Sequence, residues 1–201
     1  MNIFFLRHGL SHANIQKLVT GDRTDTLTEE GRQQIRQARV LLDFYSLSFT
    51  HYWVSDWIRA KESALIFCPD AHFTVDSRLG ETDAGAAADM PLADFTRSHQ
   101  AFWQNFQPAR KYPGGESHQD LYERAVAWLR ELECSLSTGV SVLAVTHAGP
   151  ICALLHFVCH VPMRDFPMFL SKNASLTKIE QKNGHWRLSF FSLTAPHSRD
   201  S

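Results

Sequence analysis

The chain has 201 residues, of which 44% are hydrophobic and 20% are charged. This length and composition suit one domain with a sizeable core, and they exclude disorder of the whole chain. The 20 Lys and Arg residues nearly cancel the 21 Asp and Glu residues, which leaves a formal net charge of −1. The chain therefore lacks the strong excess of basic residues that nucleic-acid-binding proteins carry.

The cysteine content indicates a reducing compartment. The four cysteines form no C-x-x-C pair and are too few for a disulfide scaffold: Cys68, Cys134, Cys152 and Cys159. No apolar run approaches the ~18 residues of a membrane span. The residues before Arg7 are too few for a signal peptide. We predict a cytoplasmic protein that binds neither nucleic acid nor a membrane; its oligomeric state is left open.

Short apolar runs alternate with amphipathic segments along the chain, which predicts alternating strands and helices. Buried strands are predicted at 2–6, 51–55 and 140–146. Helices are predicted at 28–44, 58–67, 117–136 and from Pro150 to about residue 160. Two late strands, 174–180 and 186–192, flank Asn183-Gly184, a dipeptide that favours a hairpin turn.

Two of these helices begin with clear capping signals. Thr28 precedes two glutamates, and Ser117 precedes Asp120 by three residues, the spacing of an N-terminal capping pair. The order of elements predicts an α/β fold with three layers, α/β/α, around a mostly parallel central sheet. Residues 1–201 are predicted to form a single domain with a helical lid inserted at about 86–116.

Three predicted strands lead into residues that suit phosphate chemistry. The first ends in Arg7-His8-Gly9, the second is soon followed by Arg59, and the third ends at His147. The carboxyl ends of parallel strands meet at one edge of a sheet, where ligands bind. We therefore expect two arginines and two histidines to lie together at that edge.

This set of side chains has a definite chemistry. Two arginines can clamp a phosphate dianion through paired, charge-assisted hydrogen bonds. A neutral imidazole beside the clamp can attack phosphorus, while a second, charged imidazole would stabilise the equatorial oxygens. The leaving oxygen then needs a proton donor. Glu81 and Asp83, in the loop after Leu79, are both candidates.

The segments that carry these residues resemble the motifs of the histidine phosphatase family, the phosphoglycerate mutase-like superfamily. The matching stretches occur in family order between residues 3 and 150: Leu6-Arg7-His8-Gly9, Asn14, 21–34, 55–64, 81–85, 113–117 and 145–149. The resemblance implies a phosphoglycerate mutase-like fold. It also implies phosphatase activity on a small phosphate monoester, with no metal or other cofactor.

The resemblance also implies a role for each matching residue. His8 is the implied nucleophile, which becomes phosphohistidine. Three residues complete the implied phosphate pocket: Arg7, Arg59 and His147. Asn14 adds a hydrogen bond to the phosphate. Glu81 protonates the leaving group and then activates water.

The predicted lid is rich in aromatic residues: Phe95, Phe102, Trp103, Phe106 and Tyr112. These rings could stack on a nucleoside-like substrate, although their helical spacing favours packing in a core. Together with the chain length and the Pro-Gly-Gly-Glu-Ser turn, the lid is similar to that of α-ribazole phosphatases. This likeness implies dephosphorylation of α-ribazole 5′-phosphate in cobalamin biosynthesis.

Three alternatives remain open. The same site could serve a phosphoglycerate mutase or a broad-range sugar phosphatase. Departures from the family pattern, at Leu10 and in the alanine run 86–88, allow a non-catalytic phospho-ligand binding protein. A metal site is conceivable on the helix after Pro150, from Cys152, His156, Cys159 and His160. We favour a buried helix in which cysteine acts as a small hydrophobe.

Overall fold

The computed structural model describes residues 1–137 and 139–195, without the side chain of Trp103, and the statements below concern this part of the chain. Its strands are β1 (Asn2–Arg7), β2 (His51–Val54), β3 (Thr74–Val75), β4 (Ser141–Thr146), β5 (Leu176–Lys182) and β6 (His185–Leu193). Its helices are α1 (His12–Gln16), α2 (Glu29–Ala38), α3 (Val40–Phe44), α4 (Ile58–Phe67), α5 (Leu92–Ser98), α6 (Gln100–Gln104), α7 (His118–Ser135) and α8 (Ala148–Val158). No described helix is long and apolar enough to cross a membrane.

The strands form one sheet in the order β3-β2-β4-β1-β5-β6. The four strands from β3 to β1 are parallel, and β5 and β6 continue the sheet as an antiparallel pair. Alternate residues of β1 point to opposite faces: Ile3 and Phe5 pack in the cluster of α7 and α8, and Phe4 and Leu6 in that of α2 and α4. The predicted three-layer α/β/α fold is confirmed.

Local signals for helix ends and turns are also confirmed. The Thr28 hydroxyl accepts a hydrogen bond from the Gly31 N–H at 3.0 Å, and Ser117 and Asp120 form a reciprocal capping box. Asn183 and Gly184 have φ values of 54° and 77°, the positive pair that a tight hairpin between β5 and β6 requires.

The predicted helix 28–44 is wrong in one respect, because it divides at Arg39 into α2 and α3. The apolar side chains of α3 that pack in the core are Leu41, which is buried, and Leu42, which is partly buried, whereas Tyr45 is 47% exposed. The Tyr45 ring instead contacts Phe44, at 4.9 Å between centroids, beyond the end of α3. The strand β3 was not predicted, because two exposed residues carry no hydrophobic pattern.

The segment 86–116 contains α5 and α6 and has an apolar cluster of its own. Phe95, Phe102 and Tyr112 are buried in this cluster, together with Ala84 and Ala87. The helical spacing of Phe95 and Phe102 thus reflects packing, and the alanine run provides small residues beneath them. The segment is joined to the loop after α1 by backbone hydrogen bonds such as Val19 N to Met90 O, at 3.0 Å.

Candidate active site

A cavity of about 240 Å³ lies beyond the carboxyl ends of the parallel strands. It is lined by all but one of the predicted site residues: Arg7, His8, Asn14, Arg59 and Glu81. The exception, His147, is fully buried, with its ring centroid 5.0 Å from that of His8. The fold therefore brings the side chains from separate strand ends into one place.

His8 follows the last residue of β1 and is buried. Its Nδ1 lies 2.7 Å from the Gly9 carbonyl oxygen, which can only accept, so Nδ1 carries a proton and the lone pair lies on Nε2. Burial lowers the pKa of His8 well below the ordinary histidine value, and the charges of Arg59 and Arg7 lower it further. The ring is thus neutral, and its Nε2 carries the lone pair that a nucleophile needs.

Arg59 is anchored within the site by loop 20–25. One terminal nitrogen donates to the Asp22 carbonyl at 3.0 Å and to the Asp25 carboxylate at 3.2 Å, and the other donates to the Thr20 carbonyl at 3.0 Å. The Nε–H points to His8 Nε2, at 3.2 Å. A guanidinium has five N–H donors, so these contacts leave one terminal N–H uncommitted, in addition to the Nε–H beside His8.

Arg7 and Asn14 are held by the loop before β5. Arg7 donates through one terminal nitrogen to the Ser171 carbonyl, and its buried Nε has no partner in the described residues. Asn173 donates to the Asn14 side-chain oxygen at 3.0 Å and to the His8 carbonyl at 3.1 Å. The sequence did not reveal Asn173, because it stands in a loop without a recognisable motif.

Small residues bring the backbone of the His8 loop against neighbouring elements. Ser63 accepts from the Gly9 N–H at 3.2 Å and donates to the Arg59 carbonyl at 2.7 Å, so its hydroxyl joins the segments that carry His8 and Arg59. A Cβ on Gly31 would lie 2.0 Å from the Leu10 carbonyl oxygen. Only glycine at position 31 permits α2 to approach the loop this closely. The contact is with the backbone of Leu10, so it does not depend on the Leu10 side chain.

The Glu81 carboxylate is fixed by backbone groups. Its Oε1 accepts from the Thr82 N–H at 2.8 Å, and its Oε2 accepts from the Gly149 N–H at 3.3 Å. Asp83, the other candidate proton donor, has a 52% exposed side chain near Arg23 and lines a different cavity. Of the two carboxylates, Glu81 is the one in the cavity with His8.

Gly149→Ala is expected to displace this carboxylate, because the added Cβ would lie 2.1 Å from Glu81 Oε1. If Glu81 donates the proton, the turnover of an alkyl phosphate falls by roughly 10²-fold, the lower range for a positioned general acid. Formation of the phosphoenzyme from p-nitrophenyl phosphate, whose leaving group hardly needs a proton, falls far less. Pre-steady-state rates of phosphoenzyme formation on both substrates measure this difference, and an equal loss on both would contradict it.

His147 precedes α8 and contacts Ser55, with 2.9 Å between Nε2 and the serine hydroxyl oxygen. Burial lowers the pKa of His147 well below its usual value, and the charge of Arg59 lowers it further. His147 is therefore neutral in the free site, and its expected positive charge beside a bound phosphate stays a prediction. In the sequence, His147 follows a short apolar strand. Nothing in that pattern indicates that its ring is fully buried.

The outer part of the cavity is mainly apolar and aromatic. Its walls are formed by Leu18, Val19, Leu92, Tyr112, His118, Phe166 and Pro167. Burial lowers the pKa of His118 to about 4, so this ring is neutral. Arg7 and Arg59 are the cationic side chains among the described lining residues. No chemical motif in the sequence marks His118, Phe166 or Pro167.

The cysteine and histidine residues near α8 have different surroundings. Cys152 is buried and accepts from the Phe169 N–H at 3.4 Å, and His156 contacts the Val161 carbonyl at 3.0 Å. Because α8 ends at Val158, His160 lies outside the helix and is exposed. Within the described residues, no group of three His, Cys, Asp or Glu side chains could hold a metal ion.

The model of the histidine phosphatase superfamily (branch 1) matches residues 3–194. The chain belongs to the histidine phosphatase superfamily. Among curated relatives of this histidine phosphatase is the probable phosphoglycerate mutase GpmB of Salmonella choleraesuis. It is 28% identical over 191 residues, which cover 92% of this chain and 87% of the relative.

Solved structures give the same family and fold. A mycobacterial glucosyl-3-phosphoglycerate phosphatase, solved in complex with VO3, is 26% identical with a TM-score of 0.84, covering 96% of this chain and 99% of its own. A putative alpha-ribazole-5′-P phosphatase of Escherichia coli K-12 has a TM-score of 0.85 over 98% of both chains, and at 20% identity it shows the fold alone. The predicted family, fold and enzyme class, a phosphoric monoester hydrolase of the histidine phosphatase type, are confirmed.

Proposed function

We propose that this histidine phosphatase is a metal-independent phosphomonoesterase that forms phosphohistidine on His8. Its proposed substrate is the phosphate monoester of an uncharged alcohol that carries a ring, with α-ribazole 5′-phosphate as the leading candidate. One observation carries the proposal: the unprotonated Nε2 of the neutral His8 ring lies beside Arg59, in a cavity whose outer wall is apolar.

In the first step, the phosphoryl group enters between Arg7 and Arg59, which neutralise its charge. The lone pair of His8 Nε2 attacks phosphorus while the bond from phosphorus to the leaving oxygen breaks. The protonated Glu81 carboxyl gives its proton to that oxygen, and the neutral alcohol departs.

In the second step, water attacks the phosphorus of phosphohistidine. The Glu81 carboxylate takes a proton from this water, the bond between phosphorus and nitrogen breaks, and its electron pair returns to His8 Nε2. Inorganic phosphate leaves, and Glu81 is protonated again for the next cycle. The arginines do the electrostatic work throughout, so the scheme needs no metal.

The charge of the outer wall argues for the substrate class. A phosphoglycerate carries a carboxylate besides its phosphate, and such a group needs a cation or several donors when it leaves water. The described outer lining offers instead aliphatic side chains together with the rings of Tyr112, His118 and Phe166. His118 and Phe166 lie against each other, with ring centroids 4.4 Å apart. Such a wall favours a planar, uncharged group.

The domain organisation enters the proposal as well. Residues 1–201 act as one histidine phosphatase domain, and segment 86–116 serves as its lid. Two residues of this segment, Leu92 and Tyr112, line the cavity, and this supports the lid role. The cytoplasmic location stays a prediction.

A comparison of kcat/KM on several substrates in the presence of EDTA tests the proposal. We expect kcat/KM for α-ribazole 5′-phosphate to exceed that for 3-phosphoglycerate and sugar phosphates by at least about 10-fold. Of these substrates, only α-ribazole 5′-phosphate has a planar aromatic ring that can pack against the outer wall. Equal or better rates on the small phosphates would overturn the substrate. Isomerisation of monophosphoglycerate with bisphosphoglycerate present, without phosphate release, would identify a mutase. No reaction with any of them would favour the non-catalytic alternative.

The variant Phe166→Ala sharpens this comparison. It should raise the KM for α-ribazole 5′-phosphate several-fold, because the ring loses one face of its apolar wall. The same variant should leave the turnover of glycerol phosphate nearly unchanged, since that small alcohol does not reach the wall. A similar loss on both substrates would indicate a general disturbance of the site.

A further inference from the structure

Ser55, which follows β2, contacts His147 in the interior of the fold. The serine hydroxyl oxygen is 2.9 Å from His147 Nε2 and 3.2 Å from the Trp57 backbone nitrogen. Both Ser55 and His147 are fully buried. This contact therefore exists without competition from water.

A count of hydrogens decides the direction of this hydrogen bond. A backbone N–H can only donate, so the Ser55 oxygen accepts from Trp57. The serine hydroxyl still has one proton of its own, and His147 Nε2 is the acceptor that the described residues place in reach. If Nε2 carried the proton instead, the buried serine hydroxyl would lose its acceptor, which is costly. Ser55 therefore donates, and Nε2 is unprotonated.

The neutral His147 ring must then carry its proton on Nδ1. This atom is buried and has no hydrogen-bond partner among the described residues. Its ring is the neighbour of His8, whose Nε2 lies beside Arg59. A buried donor without a partner favours any acceptor that enters next to it. The acceptor that the proposed reaction brings there is a phosphoryl oxygen.

We propose that Ser55 is a positioning residue that holds His147 as the Nδ1–H tautomer, so that Nδ1–H donates to the phosphoryl group transferred to His8. The identity of the acceptor, a phosphoryl oxygen, rests on the proposed function. The tautomer of His147 rests on the Ser55 contact alone. Burial of His147 lowers its pKa, which supports a neutral donor in the free site.

A spectrum of the unmodified enzyme tests the tautomer directly. Long-range proton–nitrogen correlation of ¹⁵N-histidine-labelled protein distinguishes protonated from unprotonated ring nitrogens, and His147→Gln assigns the signals. We expect a protonated Nδ1 and an unprotonated Nε2 in the free enzyme. The reverse pattern would overturn the inference. A correct tautomer in an enzyme without phosphatase activity would instead overturn the proposed function and leave the role of Ser55 intact.

Variants of Ser55 test the consequence. Ser55→Ala should give a mixed or reversed tautomer and lower kcat by roughly 10-fold, as expected for one lost hydrogen bond in the site. Ser55→Thr keeps the hydroxyl and should restore both the spectrum and the rate. Wild-type tautomer and kcat in Ser55→Ala would contradict the inference. The wild-type spectrum decides the matter even if a variant fails to fold.

Discussion

His8→Ala is expected to abolish turnover, with a loss of roughly 10⁴-fold or more in kcat, the range seen when a covalent nucleophile is removed. The reason is specific to the geometry of this ring. Its Nδ1 is bound to the Gly9 carbonyl, and its Nε2 faces Arg59 within the cavity. The described cavity lining offers no second nitrogen nucleophile in this position, so no neighbouring group can replace it.

His12→Ala is the matched control for this prediction. His12 lies four residues further along the chain, at the start of α1, and is exposed. It should retain the wild-type rate and the wild-type melting temperature. Rates on p-nitrophenyl phosphate with EDTA present measure both variants. Substantial activity in a folded His8→Ala protein would remove the nucleophile from the account.

Glu81→Gln is expected to separate substrates by the basicity of their leaving groups. The amide keeps the shape of the carboxyl group but has no acidic proton to give. Turnover of an alkyl phosphate should fall by about 10²- to 10⁴-fold, the usual contribution of a general acid. Formation of the phosphoenzyme from p-nitrophenyl phosphate should fall much less. Burst kinetics with p-nitrophenyl phosphate separate this step from hydrolysis.

Asp83→Asn is the control for the Glu81 prediction. Asp83 is the nearby carboxylate that the sequence left as an alternative, and its side chain lies in a different cavity from His8. This variant should keep the rate on both kinds of substrate. A large loss confined to alkyl phosphates in Asp83→Asn, with Glu81→Gln unaffected, would transfer the proton-donor role to Asp83.

The convergence of the site could be predicted because it follows from topology. Residues that follow parallel strands must meet at one sheet edge, so Arg7, His8 and His147 needed no knowledge of packing. The capping residues Thr28 and Ser117 were equally accessible, because helix capping depends on a few adjacent residues. The Asn183-Gly184 hairpin is local in the same way.

Other features depend on contacts between distant parts of the chain. Phe166 lines the cavity and Asn173 donates to the Asn14 side chain, both from the loop between α8 and β5, which has no periodic or chemical pattern. The neutral state of His147 in the free site could not be predicted, because burial of its ring is a tertiary property. The hydroxyl of Ser55 illustrates the same limit, since its partner lies 92 residues away along the chain. Such pairings appear only after the sheet has formed.

Rapid-quench trapping of the phosphoenzyme tests the central claim most directly. The enzyme is mixed with a ³²P-labelled substrate in EDTA, quenched in base and analysed by mass spectrometry for the modified residue. We predict one phosphoryl group on His8, stable in base and labile in acid, that forms and decays fast enough to account for turnover. Steady release of phosphate without any phosphohistidine, or with the label on another residue, would contradict the mechanism.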